Sequence, residues 1–196
     1  SKRNLLEPGT TASTQAALLA NQKAMVECVL MAMRAVGNLA SEDENVDTLV
    51  QLGAVKTIVE VMGTEVLLES REAVEIVLDV FANFASLDMP THSTMDASRA
   101  ARVHSAVEAD GGCTTVVNLM RSYGSSSLAI RTSALHALSN MAAAPSSALV
   151  LVELGVLNLL LAILEEPLPP GEQGIALLED TLAVLVHLAK HDASRQ

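Results

Sequence analysis

Apolar residues recur at spacings of three and four along most of this chain, which is the pattern of helices buried on one face. The clearest series lies within residues 67–85, at Ala73, Val74, Val77, Leu78, Phe81 and Phe84. Two shorter periodic stretches precede it, at residues 44–52 and 55–62, and they end at Gly53 and Gly63. Ser41 is suited to cap the first stretch, which has acidic residues in its first turn. The pattern predicts three successive helices.

The three-helix pattern recurs along the chain, as in repeat proteins. Four segments have similar endings, at residues 35–40, 80–85, 137–142 and 184–189. Their key positions hold Asn38, Asn83, Asn140 and His187, so the spacings are 45, 57 and 47. A small-residue break followed by an apolar run falls between successive endings, at Gly53, Gly111 and Gly155. Because one unit cannot bury its apolar faces alone, we predict that the units stack in series.

These endings and breaks resemble the armadillo repeat. Residues 138–142 (Leu-Ser-Asn-Met-Ala) and 37–40 (Gly-Asn-Leu-Ala) are similar to the ending of the family's third helix. The glycine turns at residues 51–55 and 153–157 are similar to the break after its first helix. The resemblance covers about residues 23–190 and implies an all-α, right-handed α-solenoid of about four three-helix units. HEAT repeats, with two helices per unit, are the nearest alternative.

The repeat register also predicts the organisation of the chain. We expect one solenoid domain over residues 1–196, with an incomplete unit at 1–40, units at 41–85, 86–142 and 143–190, and a tail at 191–196. A short helix at residues 13–21 is expected to close the amino end.

Two polar, proline-containing segments interrupt this register. The unit at 86–142 carries an inserted loop at 86–97 followed by a helix at 97–109, and a second loop occupies 165–174. Both loops are interpreted as solvated connectors, with partner recognition as the alternative.

The resemblance implies a binding groove lined by the third helices. In armadillo proteins the asparagine of each ending typically hydrogen-bonds the backbone of an extended ligand, for which an amide offers both donors and an acceptor. The corresponding residues are Asn38, Asn83 and Asn140, with His187 as a departure in the fourth unit. The alternative is that these side chains tie adjacent repeats together.

Charged residues share the predicted groove. The positions four residues before Asn38, Asn83, Asn140 and His187 hold Arg34, Asp79, His136 and Ala183. Nuclear-import armadillo proteins typically carry tryptophan at these positions. The chain has no tryptophan, which disfavours a receptor for nuclear localisation signals. An acidic stripe follows one helix, made of Glu72, Glu75, Asp79 and Asn83. A basic ligand would offset its repulsion, and the alternative is a solvated face in which Arg71 pairs with Glu75.

The composition of the chain restricts the classes of partner that it is expected to bind. The formal net charge is −11, which disfavours nucleic acid and anionic membranes and favours a protein or peptide with basic residues. The longest apolar stretch, residues 148–164, is interrupted by Gly155 and is too short to span a bilayer, so we expect two short buried helices and no direct membrane insertion. Cys28 and Cys113 lie in apolar surroundings and are expected to be buried thiols.

No sequence pattern indicates catalysis. Phosphate loops, nucleophile elbows and metalloprotease motifs are absent, and His187 and His191 have no third ligand near them in sequence. We therefore expect no enzymatic activity, cofactor or metal, and a cytoplasmic location, with a nuclear location or membrane association through a partner as the alternatives. The leading hypothesis is an interaction scaffold for an extended or helical segment. The alternative is a structural element that self-associates through an uncapped end, or a piece of a longer array.

Overall fold

The computed structural model describes residues 12–86 and 97–193, and this part of the chain is almost entirely helical. The helices are α1 (Ala12–Ala40), α2 (Asp43–Gln51), α3 (Ala54–Met62), α4 (Glu65–Leu68), α5 (Arg71–Ala85), α6 (Ala97–Ala109), α7 (Gly112–Tyr123), α8 (Leu128–Ala142), α9 (Pro145–Glu153), α10 (Val156–Glu165) and α11 (Glu172–Ala193). The described residues contain no strand.

The helices pack as stacked triplets. The third helices contact one another in the order α1, α5, α8 and α11. The first helices α2, α6 and α9 form a second series, and the second helices α3 and α7 pack against each other. Each unit after α1 has three helices of at least 9 residues, and the unit at 41–85 also has the short helix α4. This matches the three-helix pattern and not the two-helix alternative. The predicted all-α solenoid is confirmed.

A left-handed glycine separates the first two helices of each complete unit. Gly53, Gly111 and Gly155 have φ angles of 79°, 86° and 75° and immediately precede α3, α7 and α10. An L-amino acid with a Cβ atom is strained in this backbone conformation, so the turn favours glycine. The predicted breaks at these three glycines are confirmed.

One aliphatic core runs through the stacked units, from Leu30 in α1 to Leu188 in α11. Its bulkiest residues are Phe81 and Phe84, which come from α5 and are fully buried. This helix therefore supplies both phenylalanines of the chain to the core.

Several local predictions of the sequence are wrong. The single helix expected at residues 67–85 is two helices, because the Ser70 hydroxyl accepts a hydrogen bond from the Ala73 N–H and starts α5 anew. Ser41 does not cap α2; its hydroxyl donates to the Asn38 carbonyl. The short amino-terminal helix is instead the first part of α1, since no glycine or proline interrupts residues 12–36.

The cysteines and loops give mixed results. Cys113 is buried as predicted, but Cys28 is exposed because only one side of α1 is covered. The helix predicted at residues 97–109 is α6, and residues 148–164 form parts of α9 and α10, whose axes differ by 72°. Most of the inserted loop at 86–97 and the second half of the tail at 191–196 lie outside the described residues.

Candidate functional site

Amide side chains tie each third helix to the one before it. The Asn83 Nδ2 atom donates to the Gly37 carbonyl at 3.1 Å, and the Asn140 Nδ2 atom donates to the Ala82 carbonyl at 3.0 Å. In both cases the acceptor lies immediately before the corresponding asparagine of the preceding unit: Gly37 before Asn38, and Ala82 before Asn83. The interpretation that these side chains join adjacent repeats is therefore confirmed for Asn83 and Asn140.

His187 continues the same pattern in the last unit. Its Nδ1 atom lies 3.0 Å from the Ser139 carbonyl, and Ser139 is the residue immediately before Asn140. Histidine Nδ1 and asparagine Nδ2 are both bonded to Cγ, so the two side chains reach the same point when Nδ1 carries the proton. One turn later, the His191 Nε2 atom lies 3.0 Å from the Ala143 carbonyl. The departure at position 187 thus preserves the contact.

Asn38 is the ladder position of α1, and its environment differs. It is exposed, and its side chain makes no hydrogen bond within residues 12–86 and 97–193. No described helix precedes α1, so the amide has no neighbouring carbonyl to bind. We use the name ladder for Asn38, Asn83, Asn140 and His187.

The bonded amides keep unused hydrogen-bonding capacity. Asn83 and Asn140 are half-buried, and each uses a single Nδ2 hydrogen for the contact between units. Their Oδ1 atoms accept no hydrogen bond from the described part of the chain. Each side chain is therefore held in one orientation with a free acceptor beside it.

The charged residues of the predicted groove divide into paired and unpaired groups. Arg34 of α1 forms an ion pair with Glu72 of α5, so these two satisfy each other between neighbouring third helices. Both are exposed, and the pair contributes little to stability. Glu75 and Asp79 have no ion-pair partner among the described residues, and Arg71 does not pair with Glu75. Two carboxylates therefore remain available beside Asn83.

An acidic residue missed by sequence reasoning lies near His136. Burial raises the pKa of Asp180, the nearby Glu179 charge adds to the rise, and the His136 charge opposes it. His136 itself is exposed. Asp180 precedes His187 by seven residues, two helical turns, and this spacing could have placed it on the ladder side of α11.

An apolar cavity lies in the last unit of the solenoid. It has a volume of about 440 Å³ between α9, α10 and α11, and Leu149, Val152, Leu157 and Leu185 contribute to its lining. The sequence reasoning did not single out this cavity, although the long apolar stretch at residues 148–164 supplies much of its wall. Within the described residues, no cluster of three His, Cys, Asp or Glu side chains is arranged to hold a metal ion.

Comparison with known proteins bears on the fold. No protein-family model and no curated protein matches the sequence. An engineered protein of known crystal structure, Northeast Structural Genomics Consortium target OR329, matches with a TM-score of 0.64 at 22% identity, over 85% of this chain. This chain spans 58% of that protein's length. The designed armadillo repeat protein YIII(Dq)4CqI matches with a TM-score of 0.40 at 18% identity, over 82% of this chain and 76% of its own.

The triplet stacking and the ladder decide the type of repeat. The chain has an armadillo-like repeat fold. Its likeness to solved structures concerns the fold alone, because the sequence identities are low.

Replacing Asn140 tests the ladder of this armadillo-like fold. We expect Asn140→Ala to lower the free energy of unfolding by about 1 kcal/mol, because a half-buried hydrogen bond between units is lost. Asn140→His is expected to retain most of that stability, since His187 makes the equivalent contact. Urea unfolding followed by circular dichroism measures both.

Asn38→Ala is the matched control, because that ladder residue has no bond to lose; its effect should stay within about 0.5 kcal/mol. A wild-type stability of Asn140→Ala would show that the contact between units contributes nothing, and an Asn140→His variant as unstable as Asn140→Ala would show that histidine does not replace asparagine there.

Proposed function

We propose that this protein is a non-enzymatic interaction scaffold that binds an extended or helical segment of a basic partner protein. The binding surface is the side of the third helices that carries the ladder, together with Glu75, Asp79 and His136. We call this surface the ladder face. The armadillo-like repeat fold supports a protein-interaction role in general terms.

The observation that carries the proposal is the fixed orientation of the ladder amides. Asn83 and Asn140 are each held by one hydrogen bond to the preceding third helix, and the Oδ1 atom of each accepts none from residues 12–86 and 97–193. A backbone N–H of a bound segment can donate to such an oxygen without first ordering the side chain. Preorganised groups of this kind lose less conformational entropy on binding, which favours recognition of a main chain.

Charge supports a basic partner. Glu75 and Asp79 lie one turn apart on α5 without ion-pair partners among the described residues, and their mutual repulsion is relieved when a lysine or arginine binds between them. The net charge of −11 also speeds the encounter with a cationic segment at low salt.

A labelled decalysine peptide is the probe for this surface, measured by fluorescence anisotropy at low and high salt. We expect the double variant Glu75→Gln/Asp79→Asn to bind it about five- to thirtyfold more weakly, since each of two rim carboxylates contributes roughly 0.5–1 kcal/mol. Binding by the wild type should weaken as salt is raised.

A second double variant separates the site from bulk charge. Glu60→Gln/Glu65→Gln removes the same charge from the exposed surfaces of α3 and α4, and its peptide binding should change less than twofold. Equal weakening by both double variants would mean that decalysine follows net charge and not the ladder face.

Self-association is a second candidate function, favoured by the open side of α11. Ile175, Leu182 and Val186 lie there at 59%, 45% and 52% exposure, next to the apolar cavity of the last unit. Apolar side chains grouped in this way are typical of a surface that packs against another protein.

A further inference from the structure

The two outermost third helices each expose an apolar side. On α1, Met31, Ala35 and Leu39 follow helical spacing next to Asn38, and Met31 and Leu39 are 60% and 50% exposed. We call this the head face. On α11, Ile175, Leu182 and Val186 form the corresponding tail face. These are opposite ends of the series α1, α5, α8 and α11.

The ladder rule makes the two faces complementary. Every bonded ladder residue donates to the carbonyl of the residue before the previous ladder position, namely Gly37, Ala82 or Ser139. Val186 is the residue before His187, so its carbonyl occupies the next acceptor position and meets no described ladder residue. Asn38 is a ladder donor with no described acceptor. The head face therefore carries a hydrogen-bond donor, Asn38, and the tail face carries the matching acceptor, the Val186 carbonyl.

We propose that a second copy of this chain occupies the tail face, with α1 of one copy packed on α11 of another and Asn38 donating to the Val186 carbonyl. This contact repeats the one by which α5 packs on α1 and α8 on α5. It is heterologous, so each added copy leaves one head face and one tail face open and the assembly extends head to tail.

The size of the head and tail faces determines how strongly two copies are expected to associate. One helix pair forms a small interface by the standards of stable complexes, so the association should be reversible and grow with concentration. Cys28 lies three residues before Met31 on the same side of α1 and is exposed. It is therefore a native probe of the head face, since Cys113 is buried.

Two single variants test the inference by sedimentation velocity over a concentration series. Met31→Asp breaks the head face and Leu182→Asp breaks the tail face, and each variant alone should stay monomeric while the wild type forms dimers and longer species. An equal mixture of the two should form dimers only, because the intact tail of one variant meets the intact head of the other. Circular dichroism checks that each variant is folded.

Leu52→Asp is the matched control. This leucine is 78% exposed at the end of α2, away from both faces, and its variant should assemble like the wild type. Alkylation of Cys28 provides a second readout: its rate should fall as wild-type concentration rises and stay constant in Leu182→Asp.

Each contrary outcome identifies another arrangement. A wild type that is monomeric at every concentration overturns the inference. Dimers of Leu182→Asp alone would mean that head faces pair with each other, and dimers of Met31→Asp alone would mean the same of tail faces. The stretch Thr14–Ala40 is also long and apolar enough to cross a membrane, with 11% of its window buried. Flotation with phosphatidylcholine vesicles, combined with a monomer in solution, would assign this side of α1 to lipid and overturn the inference.

The inference rests on the second candidate function, self-association, and does not depend on peptide binding by Glu75 and Asp79. Met31→Asp and Leu182→Asp should bind decalysine as the wild type does. Failure of peptide binding and failure of assembly are therefore observed separately.

Discussion

Replacing Phe81 with alanine is expected to lower the free energy of unfolding by about 3–5 kcal/mol. Phe81 is fully buried in α5, and its ring edge lies so close to Gly112, at the start of α7, that a Cβ atom on this glycine would be 2.9 Å from the ring. The substitution would leave a cavity between two neighbouring units, which the rigid glycine turn cannot fill. Because whole domains are stable by only about 5–15 kcal/mol, this single change removes a large fraction of the total.

Urea unfolding measures this loss, and Leu39→Ala is the control. Leu39 is half exposed on α1, so its truncation should cost less than about 1 kcal/mol. A comparable loss in both variants would contradict the position of Phe81 in the central core, and a loss below about 1 kcal/mol for Phe81→Ala would do the same.

The second large effect concerns the two cysteines, which we expect to differ sharply in reactivity. Burial raises the pKa of Cys113 from 9.0 to about 11, with a further rise from the Glu108 charge, although the nearby Ser147 side chain acts in the opposite direction. At pH 8 only about one Cys113 thiol in a thousand is then ionised, roughly a hundredfold fewer than after unfolding. Cys28, which is exposed, should react first.

Titration with a disulfide reagent at pH 8 should therefore release one equivalent quickly and the second only after denaturant is added. Cys28→Ser should abolish the fast equivalent. Two fast equivalents in the wild type, or a fast equivalent in Cys28→Ser, would contradict the burial of Cys113.

The same pKa determines the direction of a pH effect on stability. The folded pKa of Cys113 is raised, so the native state holds this proton more tightly than the unfolded state does. The Cys113 thiol therefore makes its full contribution to stability below about pH 9. This contribution is lost progressively as the pH rises toward 11, since the thiol ionises at lower pH in the unfolded chain than in the folded one.

Much of the fold could be predicted from the sequence because the repeat makes each local signal appear several times. The glycines at 53, 111 and 155 marked three equivalent turns, and the left-handed backbone there explains why glycine recurs. The endings at Asn38, Asn83 and Asn140 fixed the register of the third helices. A break that occurs once, such as the one that Ser70 makes between α4 and α5, had no repeat to support it.

The candidate site was less predictable because its decisive contacts join residues far apart in sequence. The Arg34–Glu72 ion pair spans 38 positions, and neither residue's own surroundings indicate the other. The exposure of Cys28 likewise depends on what packs against α1 and not on the apolar residues next to it in sequence. Ligand contact by the predicted groove residues stays a prediction.

The ladder geometry is compatible with both interpretations that the sequence presented as alternatives. A side-chain amide has two hydrogens and one acceptor, so Asn83 and Asn140 can join adjacent third helices and still present an oxygen to a partner. His187 shows that the structural half of this role does not require asparagine. With Nδ1 bonded to Ser139, its remaining capacity lies at Nε2, so the last unit offers a partner a different group.

Hydrogen exchange of the side-chain amides tests the stacked ladder most directly. In a ¹⁵N-labelled sample, Asn83 and Asn140 should each show one Nδ2 hydrogen that exchanges slowly, because that hydrogen is bonded to the preceding third helix. The Asn38 amide serves as the control inside the same molecule, and both of its hydrogens should exchange rapidly under dilute conditions. Rapid and equal exchange at all three asparagines would show that the third helices are not joined in series by these side chains.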